Sequence, residues 1–416
     1  MSPDTRANLV HPSTIVRLQS STLFPSLRHL RYSLDTRPKS ISHLFLFLSP
    51  SLESLELTNI AGFENTLVEP FLATLSSPML NRIVLRTGQM PVDSFKDSIA
   101  QFKQLRSLEL SDAILMNDFV LREVLGTLPS LVNLTLKVVH PAYVPENSGT
   151  ENGSSKCFAA LETLCVVGSS LLIQHLLDFI DSPYLNSIEV HPVINHIAPR
   201  SGSKLRHEHD DLITPFIRIV VSKWAQSLET FIIGVDDSKP AVVRPHYAIS
   251  KCLMLLTDIH EIQTFHVKGW WMGSMDDDVR RLAMSWPKLT TLILPVDQTP
   301  VSLSTLRIIA ENCPELSYLQ IQLDISIIPP FNTSIGRLHH NLEVLSVGSV
   351  DQFLITPTTL DFQIQVTRHL DSMFPYLKSI KTCHGLRHVT WSGIRELVKL
   401  CQDVRRAAKQ DIMKSS

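Results

Sequence analysis

His207 and His209, flanked by Glu208, Asp210 and Asp211, form the densest group of metal-binding side chains in the sequence. A closed metal site needs a further ligand group at suitable spacing. This run has none, so it reads as a solvated charged loop. Asp276, Asp277 and Asp278 precede Val279, Leu282 and Met284 and place negative charge where a helix N-terminus favours it. The sequence contains no Gly-x-Ser-x-Gly, no P-loop, no Gly-x-Gly-x-x-Gly after a strand and no His-Glu-x-x-His. The expectation is a chain that is not an enzyme and uses no metal or cofactor. The side chains that remain to be explained belong to binding: Trp270 and Trp271 in HVKGWWMG follow a strand-like run beside Gly269 and Gly273. Tryptophan is enriched at binding hot spots. Adjacent side chains on an extended segment face opposite ways, so one ring belongs to the core and the other to the rim.

These residues need a scaffold, and the scaffold is a repeat. An apolar triplet spaced Leu-x-x-Leu-x-Leu recurs thirteen times. The first five copies are Leu27, Leu30, Tyr32; Leu52, Leu55, Leu57; Leu80, Ile83, Leu85; Leu105, Leu108, Leu110; and Leu131, Leu134, Leu136. Five more begin at Leu161, Leu185, Leu228, Ile262 and Leu289, and the last three at Leu316, Leu342 and Leu377. Successive first positions lie 25, 28, 25, 26, 30, 24, 43, 34, 27, 27, 26 and 35 residues apart, mostly near the period of leucine-rich repeats. Proline often stands just ahead of a triplet, as in SPSL, LPSL and CPEL, where its fixed φ and missing N–H end a helix and admit a strand.

The second and third triplet positions alternate on a short strand and point inward, while the residues between them point out. Between triplets, helical spacing appears at Leu67, Phe71, Leu72 and Leu75; at Leu171, Ile173, Leu176, Leu177 and Ile180; and at Val301, Leu303, Leu306, Ile309 and Ala310. One strand and one helix cannot bury both their apolar faces alone, so neighbouring units must stack. The predicted fold is α/β, a leucine-rich-repeat solenoid: a curved horseshoe with parallel strands concave and helices convex. The expected organisation is an N-terminal segment over 1–26, the solenoid over 27–390, and a C-terminal capping helix and tail over 391–416. In that cap Ile394, Leu397, Val398, Cys401, Val404, Ala408 and Ile412 form the apolar side, with Arg395, Lys399, Arg405, Arg406 and Lys409 opposite. Three connectors, residues 140–157, 191–211 and the shorter 235–246, exceed the regular period, and the first two are expected to emerge on one edge, a common place for binding loops.

Composition narrows the partner. Thirty-eight Lys and Arg against 40 Asp and Glu give a formal charge of −2, which offers no field for nucleic acid or an acidic membrane. No run approaches the roughly 20 apolar residues of a membrane span. The first 18 residues lack the apolar core of a secretory signal. Six cysteines without a Cys-x-x-Cys pair read as free thiols. The expected location is a reducing compartment, the cytoplasm or the nucleus. The partner is then a protein on the concave face and rim, and the candidate residues are Arg82, Arg86, Glu109, Lys137, His266, Lys268, Trp270, Trp271, Tyr318 and Gln320. The alternatives are an enzyme or small-molecule receptor with a pocket among the long connectors, or a truncated paralogue without its effector domain.

The irregular array, with CPELSYLQI at Cys313 to Ile321 and FPSLRHLRY at Phe24 to Tyr32, resembles the repeat region of fungal F-box and leucine-rich-repeat proteins. The resemblance implies the substrate-recognition part of a ubiquitin-ligase adaptor, in which an N-terminal F-box docks on the Skp adaptor of a cullin complex. The Leu-Pro opening of an F-box is absent from Met1 to Thr22, so Skp and cullin are expected partners only with an F-box upstream. The Asn that commonly follows each strand in regular repeats is also missing, with Asp35, Ile60, Gly88, Ala113 and Val139 at that offset. The hydrogen bonds such an Asn supplies must come from elsewhere.

Overall fold

All thirteen triplets lie on or lead into parallel strands. The structure, a computed structural model, describes residues 23–33, 41–60, 65–75, 77–87, 97–111, 126–138, 158–193, 210–234, 250–270, 275–295, 300–331, 338–348, 359–383 and 389–415. The expected connectors at 140–157 and 235–246, most of the one at 191–211, and the His207–His209 group lie outside the described residues. The chain divides into two compact units, Met1–Leu185 with Pro192–Asn195, and Asn186–His191 with His196–Ser416.

The first unit holds β1 (His29–Ser33), β2 (Ser54–Ile60), β3 (Arg82–Thr87), β4 (Ser107–Ser111), β5 (Asn133–Lys137) and β6 (Thr163–Gly168), ordered in space as in sequence and all parallel. Like positions of the triplets pair across strands: Leu30, Leu55, Ile83, Leu108, Leu134 and Leu164 form one row. Every member of that row is buried. On the other layer α1 (Asn65–Thr74) buries Phe71 and Leu72, while α2 (Ser170–Phe179) buries Leu172, Ile173, Leu176 and Leu177. Leu171, expected on that apolar face, is exposed, and Leu172 takes the core position. The cap explains the phase: Ser169 accepts from the Leu172 amide and fixes where the helix starts.

The second unit continues the same plan with β7 (Ser187–Pro192, through His191), β8 (Thr230–Gly234), β9 (Thr264–Lys268), β10 (Thr291–Ile293), β12 (Tyr318–Ile321), β14 (Val344–Gly348) and β15 (Ser379–Cys383), again parallel. A small side sheet pairs β11 (Val301–Ser302) with β13 (Leu323–Asp324). Helices α3 (Asp210–Trp224), α4 (Ser250–Leu253), α5 (Met275–Ser285), α6 (Leu303–Asn312) and α7 (Leu360–Met373) fill the connections. The rings of Phe231, Phe265 and Trp286 pack together in this core, with Phe265 and Trp286 4.7 Å apart. Each unit is thus an α/β leucine-rich-repeat stack. No described helix is long and apolar enough to cross a membrane.

Two expectations fail in the second unit. Between β12 and β14 the described residues contain no helix. Ser326–Phe331 is non-helical because Pro329 and Pro330 lack the amides a helix needs. His369 of α7 instead holds that segment through the Pro329 carbonyl at 2.9 Å. The C-terminal helix α8 (Val389–Ser415) packs on α7 and β15 through Trp391, Ile394 and Val398, but Val404 and Ala408 are exposed. Arg405, expected on the outer side, turns inward and pairs with the buried Asp371 carboxylate.

A side chain three places ahead of the triplet bonds one repeat to the one before it. Ser77 donates to the Leu52 carbonyl at 2.7 Å, and Ser182 to the Leu161 carbonyl at 2.7 Å while accepting from the Tyr184 amide. In later repeats Trp286 Nε1 donates to Leu256 O and Cys313 Sγ to Ala283 O, and His340, one place nearer its triplet, bonds Cys313 O. Each side chain reaches back to the repeat before it and satisfies a buried carbonyl. In parallel, one carbonyl per repeat accepts two amides of the next, as Glu53 O does from Asn81 and Arg82. Because Ser182 is buried and bonds both ways, Ser182→Ala is expected to cost about 1–3 kcal/mol in denaturant unfolding. A cost within 0.3 kcal/mol of Ser222→Ala, a helix-surface control, would remove the ladder role.

Candidate interaction face

The outward strand residues of the triplet strands line up in rows across neighbouring strands. In the first unit one row runs His29, Ser54, Arg82, Ser107, Asn133, and a second runs Arg31, Glu56, Val84, Glu109, Thr135. The third is Ser33, Thr58, Arg86, Ser111, Lys137. Parallel pairing in register makes these rows inevitable once the triplets align. Most members face solvent at least in part, and Arg82 and Arg86 are exposed. Val84, Thr58 and Ser111 are exceptions that stand outward in register but are buried, Val84 between Glu56 and Glu109. Charges on neighbouring strands pair, Arg31 with Glu56 at 3.3 Å and Arg86 with Glu109 at 2.9 Å. The Glu109 hydrogen bond raises the Arg86 pKa, against a smaller opposing effect of burial. Glu109 therefore serves first to orient Arg86, which a linear reading of the sequence could not tell.

In the second unit Glu189, Ile232, His266, Ile293, Gln320, Ser346 and Lys381 share a row. Glu189 bonds His191 at 2.7 Å, and the His191 ring lies so close to Gly234 that a Cβ there would meet Nδ1 at 2.7 Å. Only glycine at this position leaves room for the ring. Lys268 is exposed, and Tyr318 hydroxyl contacts Gln320 at 3.5 Å. His266 is half-buried, and burial, followed by the nearby Lys268 charge, lowers its pKa; Glu189 pulls the other way.

Of the residues singled out from sequence, Arg82, Arg86, Glu109 and Lys137 share one face of the first unit, and His266, Lys268, Tyr318 and Gln320 one face of the second. Trp270 is a correction: at 2% exposure it is a core residue and offers no docking surface. The chain turns at Gly269, in the left-handed region with φ 73°, and folds that ring inward. Trp271 lies outside the described residues. Sequence reasoning missed Ser111 and Ser346, outward hydroxyls that are nevertheless buried, because nothing in their type signals burial.

Buried histidines make the second unit sensitive to acid. His340 donates from Nε2 to Cys313 O at 2.7 Å and accepts at Nδ1 from the Leu342 amide at 3.0 Å, an arrangement that requires the neutral ring. Burial lowers its pKa, with the Cys313 carbonyl opposing, and burial likewise leads in lowering those of His266 and His369. With folded values below the unfolded value of about 6.5, the unfolded chain binds more protons between the two, so stability is complete above about pH 6.5 and falls as the pH drops below it. The urea midpoint should decline from pH 7.5 to pH 5.5, and His340→Gln should flatten that decline. An unchanged midpoint over this range would contradict the neutral, buried assignment.

The chain matches no protein-family model and no curated protein. Among solved structures it is similar to an internalin (inlF) from Listeria monocytogenes, at 10% identity and TM-score 0.39, over 91% of this chain and 86% of that one. It is also similar to the yeast Rad7 and Elc1 complex, at 14% identity and TM-score 0.40, over 81% of this chain and 79% of that one. A third is the leucine-rich-repeat ectodomain of the Arabidopsis receptor kinase HAESA in complex with an IDA peptide hormone, at 14% identity and TM-score 0.30; the match covers 70% of this chain and 36% of that one.

Proposed function

We propose that this chain is a non-catalytic protein-interaction solenoid that receives a protein partner on its outward strand rows. One observation carries the reading: strand after strand commits alternate residues to the core and presents the others as extended, mostly polar rows. Six strands about 4.8 Å apart give the first unit a face roughly 24 Å wide, a scale suited to a macromolecular surface. Arg82, Arg86, Glu109 and Lys137 carry the contacts in the first unit, and His266, Lys268, Tyr318 and Gln320 those in the second. In the finer form of the proposal the chain is the recognition part of an F-box-type ubiquitin-ligase adaptor in the cytoplasm or nucleus. Skp adaptor and cullin join in that form only if an F-box lies upstream of the repeats. That form is supported by the CPELSYLQI and FPSLRHLRY repeats alone.

Photo-crosslinking tests both levels. A benzophenone amino acid at Glu109 or Gln320 should capture a partner in cells, whereas the same group at Arg307 on α6 should not. Equal capture from both sides, or none from the strand rows, overturns the interaction reading. Capture without co-purification of Skp adaptor and cullin leaves the solenoid role standing and overturns the ligase role.

A further inference from the structure

The strand face of the first unit is unequal in charge. Its rows contain four cations, Arg31, Arg82, Arg86 and Lys137, against two carboxylates, Glu56 and Glu109. Both carboxylates are already engaged, by Arg31 and by Arg86. Arg82 and Lys137 have no ion-pair partner among the described residues. Between Arg86 and Lys137, in the same row, stands Ser111. Its residue is 6% exposed, and its hydroxyl has no hydrogen-bond partner among the described residues. An unsatisfied buried hydroxyl is costly, and here it is flanked by two long, flexible cationic side chains. On either side of Arg82 in its row stand Ser54 and Ser107, followed by His29 and Asn133 farther out, so the positions next to it are small donors that raise no wall against an extended chain.

Resting on the interaction reading above, we infer that this face binds an acidic, extended segment of a protein partner, with one carboxylate at Lys137 and Ser111 and another at Arg82. The two positions lie two strands across and four residues along the sheet, roughly 16 Å apart, which an extended chain spans in about five residues. Glu109 faces the same region, but its charge is spent on Arg86, so the net field on an incoming carboxylate is attractive. The formal charge of the whole chain is −2, so the surplus is a local property of this face.

Fluorescence anisotropy of the full chain tests the assignment, using a labelled peptide of alternating Asp and Glu, its Asn and Gln counterpart, and a duplex DNA of similar charge. The acidic peptide should bind, its counterpart should not, and binding should weaken as salt rises from 50 to 300 mM. Arg82→Glu with Lys137→Glu should weaken it about tenfold, and Lys381→Glu in the second unit should not. Ser111→Ala should weaken it several-fold while thermal stability is retained or raised, since the unsatisfied hydroxyl is gone. Unaltered binding by the double variant overturns the inference, as does binding of the neutral peptide or equal affinity for DNA. If a crosslinked partner is still held by the strand rows in those cases, the inference alone has failed; if the rows capture nothing, the interaction reading has failed with it.

Discussion

Leu108→Ala and Leu292→Ala are each expected to destabilise the protein by about 2–5 kcal/mol, measured by urea unfolding. Both leucines are the second residue of a triplet, and they are 1% and 2% exposed. Leu108 pairs in register with Ile83 and Leu134, and Leu292 with Phe265 and Leu319, so each truncation opens a cavity shared by three repeats. Stability in a stack is close to a sum of nearest-neighbour contacts, so damage at one repeat weakens its neighbours first. Hydrogen exchange should therefore accelerate around β3–β5 for Leu108→Ala and around β9–β12 for Leu292→Ala. A cost under about 0.5 kcal/mol at both sites would mean surface positions and a wrong register.

Arg405→Ala is the second large effect, about 3 kcal/mol, because it removes the paired cation from a buried carboxylate. Asp371 on α7 is 5% exposed, and Arg405 forms an ion pair with it. Arg405 also donates to the Pro375 carbonyl at 3.0 Å, and Gln402 to the Leu377 carbonyl at 2.8 Å, so one face of α8 closes the turn ahead of the last strand. Replacing the pair together, Arg405→Met with Asp371→Leu, should recover most of the loss, since apolar side chains of similar size remove the buried charges. Limited proteolysis within α8 should track the single variant and spare the double. A single variant as stable as the parent would show that packing of Trp391, Ile394 and Val398 alone holds the helix.

The strands were legible because their signal is periodic and redundant: the pattern of Leu52, Leu55 and Leu57 recurs often enough that parallel stacking is the one way to bury it. The exceptions depend on information that no spacing holds. Ser182 ties its repeat to the one before through a bond to a residue 21 positions earlier, a pairing visible only once the repeats are stacked. Arg405 turns inward because Asp371 waits on another helix, although its own helix places it among charged residues. Trp270 enters the core because Gly269 turns the chain, and Val84 is buried despite an outward register. Of the site, the rows themselves were readable from the alternation, whereas the pairing of Arg86 with Glu109 and the orphaned Ser111 hydroxyl required cross-strand geometry.

The most direct measurement is thiol labelling along one strand. Single cysteines at Ser107, Leu108, Glu109 and Leu110 of β4 would be timed against a maleimide under native conditions, with the parent chain setting the background. Fast labelling at Ser107 and Glu109 with protection at Leu108 and Leu110 is the predicted result. Equal rates at all four, or protection at the outward pair, would contradict a repeat stack that keeps one row of each strand for its partner.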